Sequence, residues 1–186
     1  ALLVWFWAAL WTTALAASEP LEPVAALADF ALPPGYRIEL VAAEPEIVDP
    51  VAMAFDPQGR LWVVEMSDYP LPAAGSPPSS RIRILEDKNR DGRFESASTF
   101  ADGLLFPTGL QLWGSGAFVT LAGEIAYFPD DDHDSRADRH ETWYRGFATH
   151  NEQLRANHPT LAADGLIYVA GGLRGPVGLA FDRDWN

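Results

Sequence analysis

Pro50-Val51-Ala52-Met53-Ala54-Phe55-Asp56-Pro57-Gln58-Gly59-Arg60-Leu61-Trp62-Val63-Val64-Glu65 sets two runs of β-forming residues around a turn tetrapeptide. Proline presets the backbone early in a tight turn and glycine relaxes it at the end, so Asp56-Pro57-Gln58-Gly59 predicts a hairpin. The same grammar returns at Gly109–Thr120 and at Thr160–Ala170, with turn glycines Gly59, Gly116 and Gly165 separated by 57 and 49 residues. Short strands at an approximate repeat of about 40–50 residues predict an all-β chain, and a β-propeller rather than a sandwich. Further strands are expected at Gly35–Val41, Arg81–Leu85 and Glu124–Phe128. No stretch carries the period of a long amphipathic helix. Pro176-Val177-Gly178-Leu179-Ala180-Phe181-Asp182 echoes Pro50–Asp56 and reads as the opening strand of a further hairpin. About three blades are thus expected, where a closed ring needs at least about four, so the chain reads as a piece of a longer protein.

Two acidic stretches share one spacing. Asp87, Asn89, Asp91 and Glu95 stand at relative positions 1, 3, 5 and 9, and Asp130, Asp132, Asp134 and Asp138 repeat them 43 residues on. Oxygen-bearing side chains at these intervals suit a calcium loop. The first loop has Gly92 at its sharp turn and lacks a bidentate Glu at position 12, where Ser98 stands, so it is a calcium-type loop in a β protein and not an EF-hand. The second has Ser135 in the glycine place, and six carboxylates between 130 and 141 that repel one another without a cation. Calcium is therefore expected at Asp87–Glu95 ahead of Asp130–Asp138. The competing reading is a pair of solvated turns, for which Asp, Asn and Gly are the usual residues.

With 186 residues, 48% of them hydrophobic, the chain can bury a core. The 26 acidic against 13 basic residues give a net charge of −13, which argues against a nucleic-acid partner. No cysteine is present, so disulfides, thiolate metal sites and thiol nucleophiles are excluded. Nicotinamide, nucleotide and serine-hydrolase motifs are missing as well. Residues Ala1–Ala17 carry no charge and run into Ala14-Leu15-Ala16-Ala17-Ser18, the pattern of a signal peptide and its cleavage site, with an uncleaved membrane anchor as the alternative. Either implies export, to a periplasmic or membrane-associated place. An Ala-, Pro- and Glu-rich linker is expected over 18–34 and the propeller domain over 35–186.

The Phe55–Glu65 hairpin and the acidic loops occur together with Phe100-Ala101-Asp102-Gly103-Leu104-Leu105-Phe106-Pro107-Thr108-Gly109 and Gly146-Phe147-Ala148-Thr149-His150-Asn151-Glu152-Gln153-Leu154-Arg155-Ala156-Asn157-His158. In this order they resemble the membrane-bound dehydrogenase domain of environmental bacteria, over roughly residues 30–172. That domain is a relative of the soluble glucose/sorbosone dehydrogenase propellers. The resemblance implies a six-bladed ring with pyrroloquinoline quinone at its mouth and calcium helping to hold it. It also implies an electron-accepting cytochrome domain in the full-length protein, although a chain without cysteine holds no Cys-x-x-Cys-His haem site. Oxidation of a sugar or other alcohol by a quinone needs a base for the hydroxyl proton and a cation facing the quinone carbonyl. His158 is the expected base and Arg155 the cation, with His150, Asn151, Gln153 and Asn157 as cofactor contacts. His158 is expected to lie immediately before a strand, although the dehydrogenase motif places its histidine slightly earlier. The rivals are a non-enzymatic, calcium-stabilised propeller that binds glycan or protein, and a lactonase that uses calcium as a Lewis acid. Trp62, Trp113 and Trp143 are expected to pack between blades.

Overall fold

The computed structural model describes residues 21–70, 74–149 and 154–171. The readings of Ala1–Ala17, His150, Asn151, Gln153 and Pro176–Asp182 lie outside them. The chain divides into two compact units, residues 1–40 and 41–186. In the first, a single helical turn at Pro23–Ala26 begins with its proline at the first helical position, and a 3-10 turn at Leu27–Asp29 follows. The strand expected at Gly35–Val41 is not formed; its alternation finds no partner strand, and residues 36–41 are irregular. Among the described residues no helix is long and apolar enough to cross a membrane.

The second unit is built from antiparallel sheets. Strands β1 (Pro50–Phe55), β2 (Leu61–Glu65), β3 (Ser80–Glu86) and β4 (Ser96–Leu104) form a four-stranded sheet in sequence order. β5 (Gly109–Trp113), β6 (Gly116–Leu121), β7 (Glu124–Phe128) and β8 (Glu141–Arg145) repeat that order in a second sheet, and β9 (Asn157–Leu161) pairs with β10 (Ile167–Ala170). All three expected hairpins are present. Phe55 pairs with Leu61 across the first turn and Leu161 with Ile167 across the third. Both turns close alike: Asp56 N–H donates to Arg60 O and Gly59 N–H to Asp56 O, as Ala162 N–H does to Leu166 O and Gly165 N–H to Ala162 O.

The sheets stack face to face. Trp62, Val64, Ile82, Ile84, Phe100 and Leu104 of the first meet Leu110, Val119, Leu121, Ala126 and Phe128 of the second in one buried cluster. On the far side of the second sheet, Phe118 and Ile125 pack with Phe147, Ala156 and Ile167, and Trp113 and Trp143 join them. The three tryptophans therefore lie between sheets. The outer face of the first sheet, with Leu61, Val63 and Leu85, is covered by Ala42 and Ile47. Because β2 and β6 are covered on both faces, every residue of each is buried, which explains why Leu61-Trp62-Val63-Val64 reads as an unbroken apolar run. Gly116 begins β6 against the neighbouring strand; a Cβ there would stand 1.9 Å from Phe128 O.

Candidate functional site

In an antiparallel meander, alternate connections fall on opposite edges. The first acidic loop joins β3 to β4 and the second joins β7 to β8, the third-to-fourth connection of each sheet. Both lie on the edge that also carries the β1–β2 and β5–β6 turns.

The two loops share one conformation. In the first, Asp87 Oδ1 accepts from Asp91 N–H (3.1 Å) and its Oδ2 from Gly92 N–H (2.9 Å). Asn89 Oδ1 accepts from Asp91 N–H (2.9 Å), Asp91 Oδ1 from Arg93 N–H (2.8 Å), and Glu95 from Lys88 N–H (3.3 Å). In the second, Asp130 takes Asp134 N–H (3.0 Å) and Ser135 N–H (3.1 Å), and Asp132 takes Asp134 N–H (3.2 Å). Asp134 takes Arg136 N–H (2.8 Å) and Asp138 takes Asp131 N–H (2.6 Å), so all five bonds recur position for position. The left-handed residues also recur: Arg90 and Gly92 at φ 62° and 91°, His133 and Ser135 at 62° and 68°. Ser135 thus enters the glycine conformation; the turn does not bend away to spare it.

Repulsion within the second loop is answered by the protein itself. Asp130, Asp132, Asp134 and Asp138 accept backbone N–H groups, while Arg139 bridges Asp131 and Glu141. The hydrogen bond to Asp131, and then that to Glu141, raises the Arg139 pKa above its ordinary value. One carboxylate oxygen from each of Asp130, Asp132 and Asp138 lies within 4.8 Å of the others, with Asp130 buried. Asp134 is outside that group. No such group of three forms in the first loop among the described residues.

Beside the second loop stands the β1–β2 turn. Asp56 accepts from Gln58 N–H (3.0 Å), Arg60 N–H (2.9 Å), Arg60 Nε (2.6 Å) and Trp62 Nε1 (3.0 Å). Burial pushes its carboxyl up, but the bonds from Trp62 and Arg60 and the Arg60 charge outweigh it and hold the group below its ordinary 3.8. Arg60 Nη1 donates to Ser135 Oγ at 2.7 Å.

The segment read as redox chemistry lies on the other edge. β9 runs alongside β5, with Thr108 Oγ1 donating to Ala156 O (2.5 Å) at one end and Leu161 N–H to Gln111 Oε1 (2.8 Å) further along. His158 is exposed and sits inside β9, where a strand start at Thr160 had been expected. Its register is set by backbone, since Gly109 packs against His158 N. Asn157 Nδ2 is 3.5 Å from Arg155 O. Arg155 is buried: its guanidinium lies 3.8 Å over the Phe106 ring, Nη2 reaches Thr149 O at 3.5 Å, and Nε has no partner among the described residues. Asp49, Phe106 and His158 all take left-handed backbone (φ 48°, 48° and 55°) immediately before Pro50, Pro107 and Pro159. Such strain, of order 1–3 kcal/mol each, gathers at functional sites. A five-residue strand separates this edge from the acidic loops by roughly 15 Å, so a cation in either loop makes no contact with a group held by Arg155 or His158.

Glu65, Asp68 and Arg81 were passed over in the sequence. Glu65 is fully buried at the end of β2, accepting from Val48 N–H (2.9 Å) and pairing with Arg81. Asp68 is buried with Ser79 N–H and Oγ on Oδ1, while its Oδ2 has no partner among the described residues. The signal was a carboxylate closing an otherwise apolar strand, Leu61–Glu65.

A protein family described as Domain of unknown function (DUF7133) matches residues 22–184. No curated protein and no solved structure matches the chain.

Proposed function

This chain belongs to the DUF7133 family, and on that premise we propose an exported β-propeller with cation binding on one edge and alcohol oxidation on the other. The observation that carries the propeller reading is how the sheets meet. β5 lies against both β1 and β9, so the first strands of successive sheets converge while the sheets themselves stack face to face. Blades around an axis meet in this way.

Calcium is assigned to Asp130, Asp132 and Asp138 ahead of the Asp87–Glu95 loop, the reverse of the order expected from glycine alone. An all-oxygen donor set with oxygens close enough to share one ion suits a hard cation. Its role is to hold a strand connection, because the strand length keeps it from the opposite edge.

On that opposite edge, the buried Arg155 Nε, which has no partner among the described residues, fits an acceptor oxygen of pyrroloquinoline quinone. When bound, such a quinone supplies two-electron oxidation of a sugar or other alcohol. His158, exposed beside it in sequence, takes the substrate hydroxyl proton on an imidazole nitrogen. Asn157 shapes the same strand start. A cytochrome domain in the full-length protein is the proposed electron acceptor.

A dye-linked sugar-oxidation assay on the full-length protein, with and without added quinone, tests this reading. Turnover that needs quinone and falls at least about 100-fold in His158→Ala supports it. If no quinone binds and no alcohol is oxidised, while calcium still binds, the protein is a non-enzymatic propeller for glycan or protein. The acidic loops favour that second reading on their own, since they need no redox group. Fusing Ala1–Ser18 to a periplasmic reporter tests export.

A further inference from the structure

We infer that Arg60 and Ser135 form a clasp between the first two sheets, and that the clasp is why the second acidic loop carries serine where the first carries glycine. The five side-chain-to-backbone bonds that shape the turn are the same in both loops, so the turn itself does not call for the exchange. At φ 68° a residue with a Cβ is disfavoured, and something outside the loop must offset that cost. Among the described residues, the hydrogen bond to the Ser135 side chain comes from outside the loop, from Arg60 Nη1 to its Oγ at 2.7 Å.

Arg60 is itself held in place. Its Nε is 2.6 Å from Asp56 Oδ2, which Trp62 Nε1 also meets at 3.0 Å. Arg60 lines a cleft of about 320 Å³ together with Asp56, Trp62, Asp130 and Ser135. The first loop differs: a Cβ added at Gly92 would meet nothing within 4 Å, so a side chain there would face open space. Glycine stands where the loop faces open space, and serine where a guanidinium of the adjoining sheet arrives. Ordering of the second loop is thereby felt at the β1–β2 hairpin, whether or not the loop holds a cation.

A double-mutant cycle on the full chain, read by thermal unfolding, tests the clasp. Ser135→Ala removes only the hydroxyl, and Arg60→Met keeps the apolar stem while removing the donors. Ser135→Ala should lower Tm by about 2–5 °C in the natural chain and by less than about 1 °C beside Arg60→Met. Equal shifts in both backgrounds overturn the clasp. Should Arg60→Met fail to fold, amide exchange in Ser135→Ala alone decides. Gln58 and Arg60, in the other sheet, should exchange several-fold faster, and unchanged rates there overturn it.

Discussion

The loops at Asp87–Glu95 and Asp130–Asp138 adopt one backbone from two sequences, and they differ in what surrounds them. Among the described residues, the first meets its own sheet and residues 41–47 beside it, with Phe94 N–H donating to Val41 O at 2.7 Å. The second is tied to the first sheet at Ala137 N–H to Phe100 O (2.8 Å) and at Arg60 to Ser135, and it buries Asp130. Asp, Asn and backbone N–H groups suffice to shape the turn. Burial and contacts with the neighbouring sheet decide how much depends on it.

The comparison breaks first at position 1. Asp130→Ala leaves two N–H groups beside a buried site and should lower stability by about 2–3 kcal/mol. Asp87→Ala, whose partners reach water, should cost less than about 1 kcal/mol. Urea unfolding of both variants measures the gap, and equal losses would mean that the second loop is no more embedded than the first. Calcium sharpens the same contrast. At about 100 times its Kd it should add about 2.7 kcal/mol, a gain lost in Asp132→Asn/Asp138→Asn and kept in Asp87→Asn. Calorimetric titration that shows the opposite pattern would return the cation to the first loop.

Acid probes the link between the second loop and its neighbour. The folded Asp56 carboxyl lies below its ordinary value, so it binds fewer protons folded than unfolded near that pH. Its contribution is complete above about 3.9, and is lost as pH falls through the folded value. Stability measured between pH 6 and pH 3 should therefore drop more steeply in the natural chain than in Asp56→Asn. Parallel curves would show that Asp56 carries no such linkage.

Much of this contrast was hidden in the sequence. The first and third hairpins were legible because Gly59 and Gly165 answer to local backbone geometry, whereas in the second the left-handed turn glycine is Gly114 and the expected Gly116 begins β6 against Phe128. The strand at Gly35–Val41 was misread because alternation says nothing about whether a partner strand is present. β4 was missed since Ser96–Leu104 is polar and glycine-bearing at the edge of its sheet, where β3 is its strand partner. Among site residues, the repeated spacing was visible but the side-chain convergence was not. Gly92 advertised an easy turn, whereas convergence of Asp130, Asp132 and Asp138 depends on side-chain directions that spacing does not carry. Arg155 was legible as a cation, but its burial and its stacking on Phe106, 49 residues away in sequence, come from the meeting of β5 and β9.

The smallest predicted effect is also the most direct exchange between the loops. Gly92→Ser writes the second loop's residue into the first, at φ 91° and with open space around the new Cβ. Nothing clashes, so the full cost is conformational, about 1 kcal/mol, with no hydrogen bond to recover it. Placing a guanidinium within reach, as Arg60 is for Ser135, is what the first loop lacks. If Gly92→Ser were neutral by urea unfolding, left-handed serine would cost this turn nothing. Ser135 would then need no clasp to explain it, and the two loops would differ by chance at position 6 rather than by their neighbours.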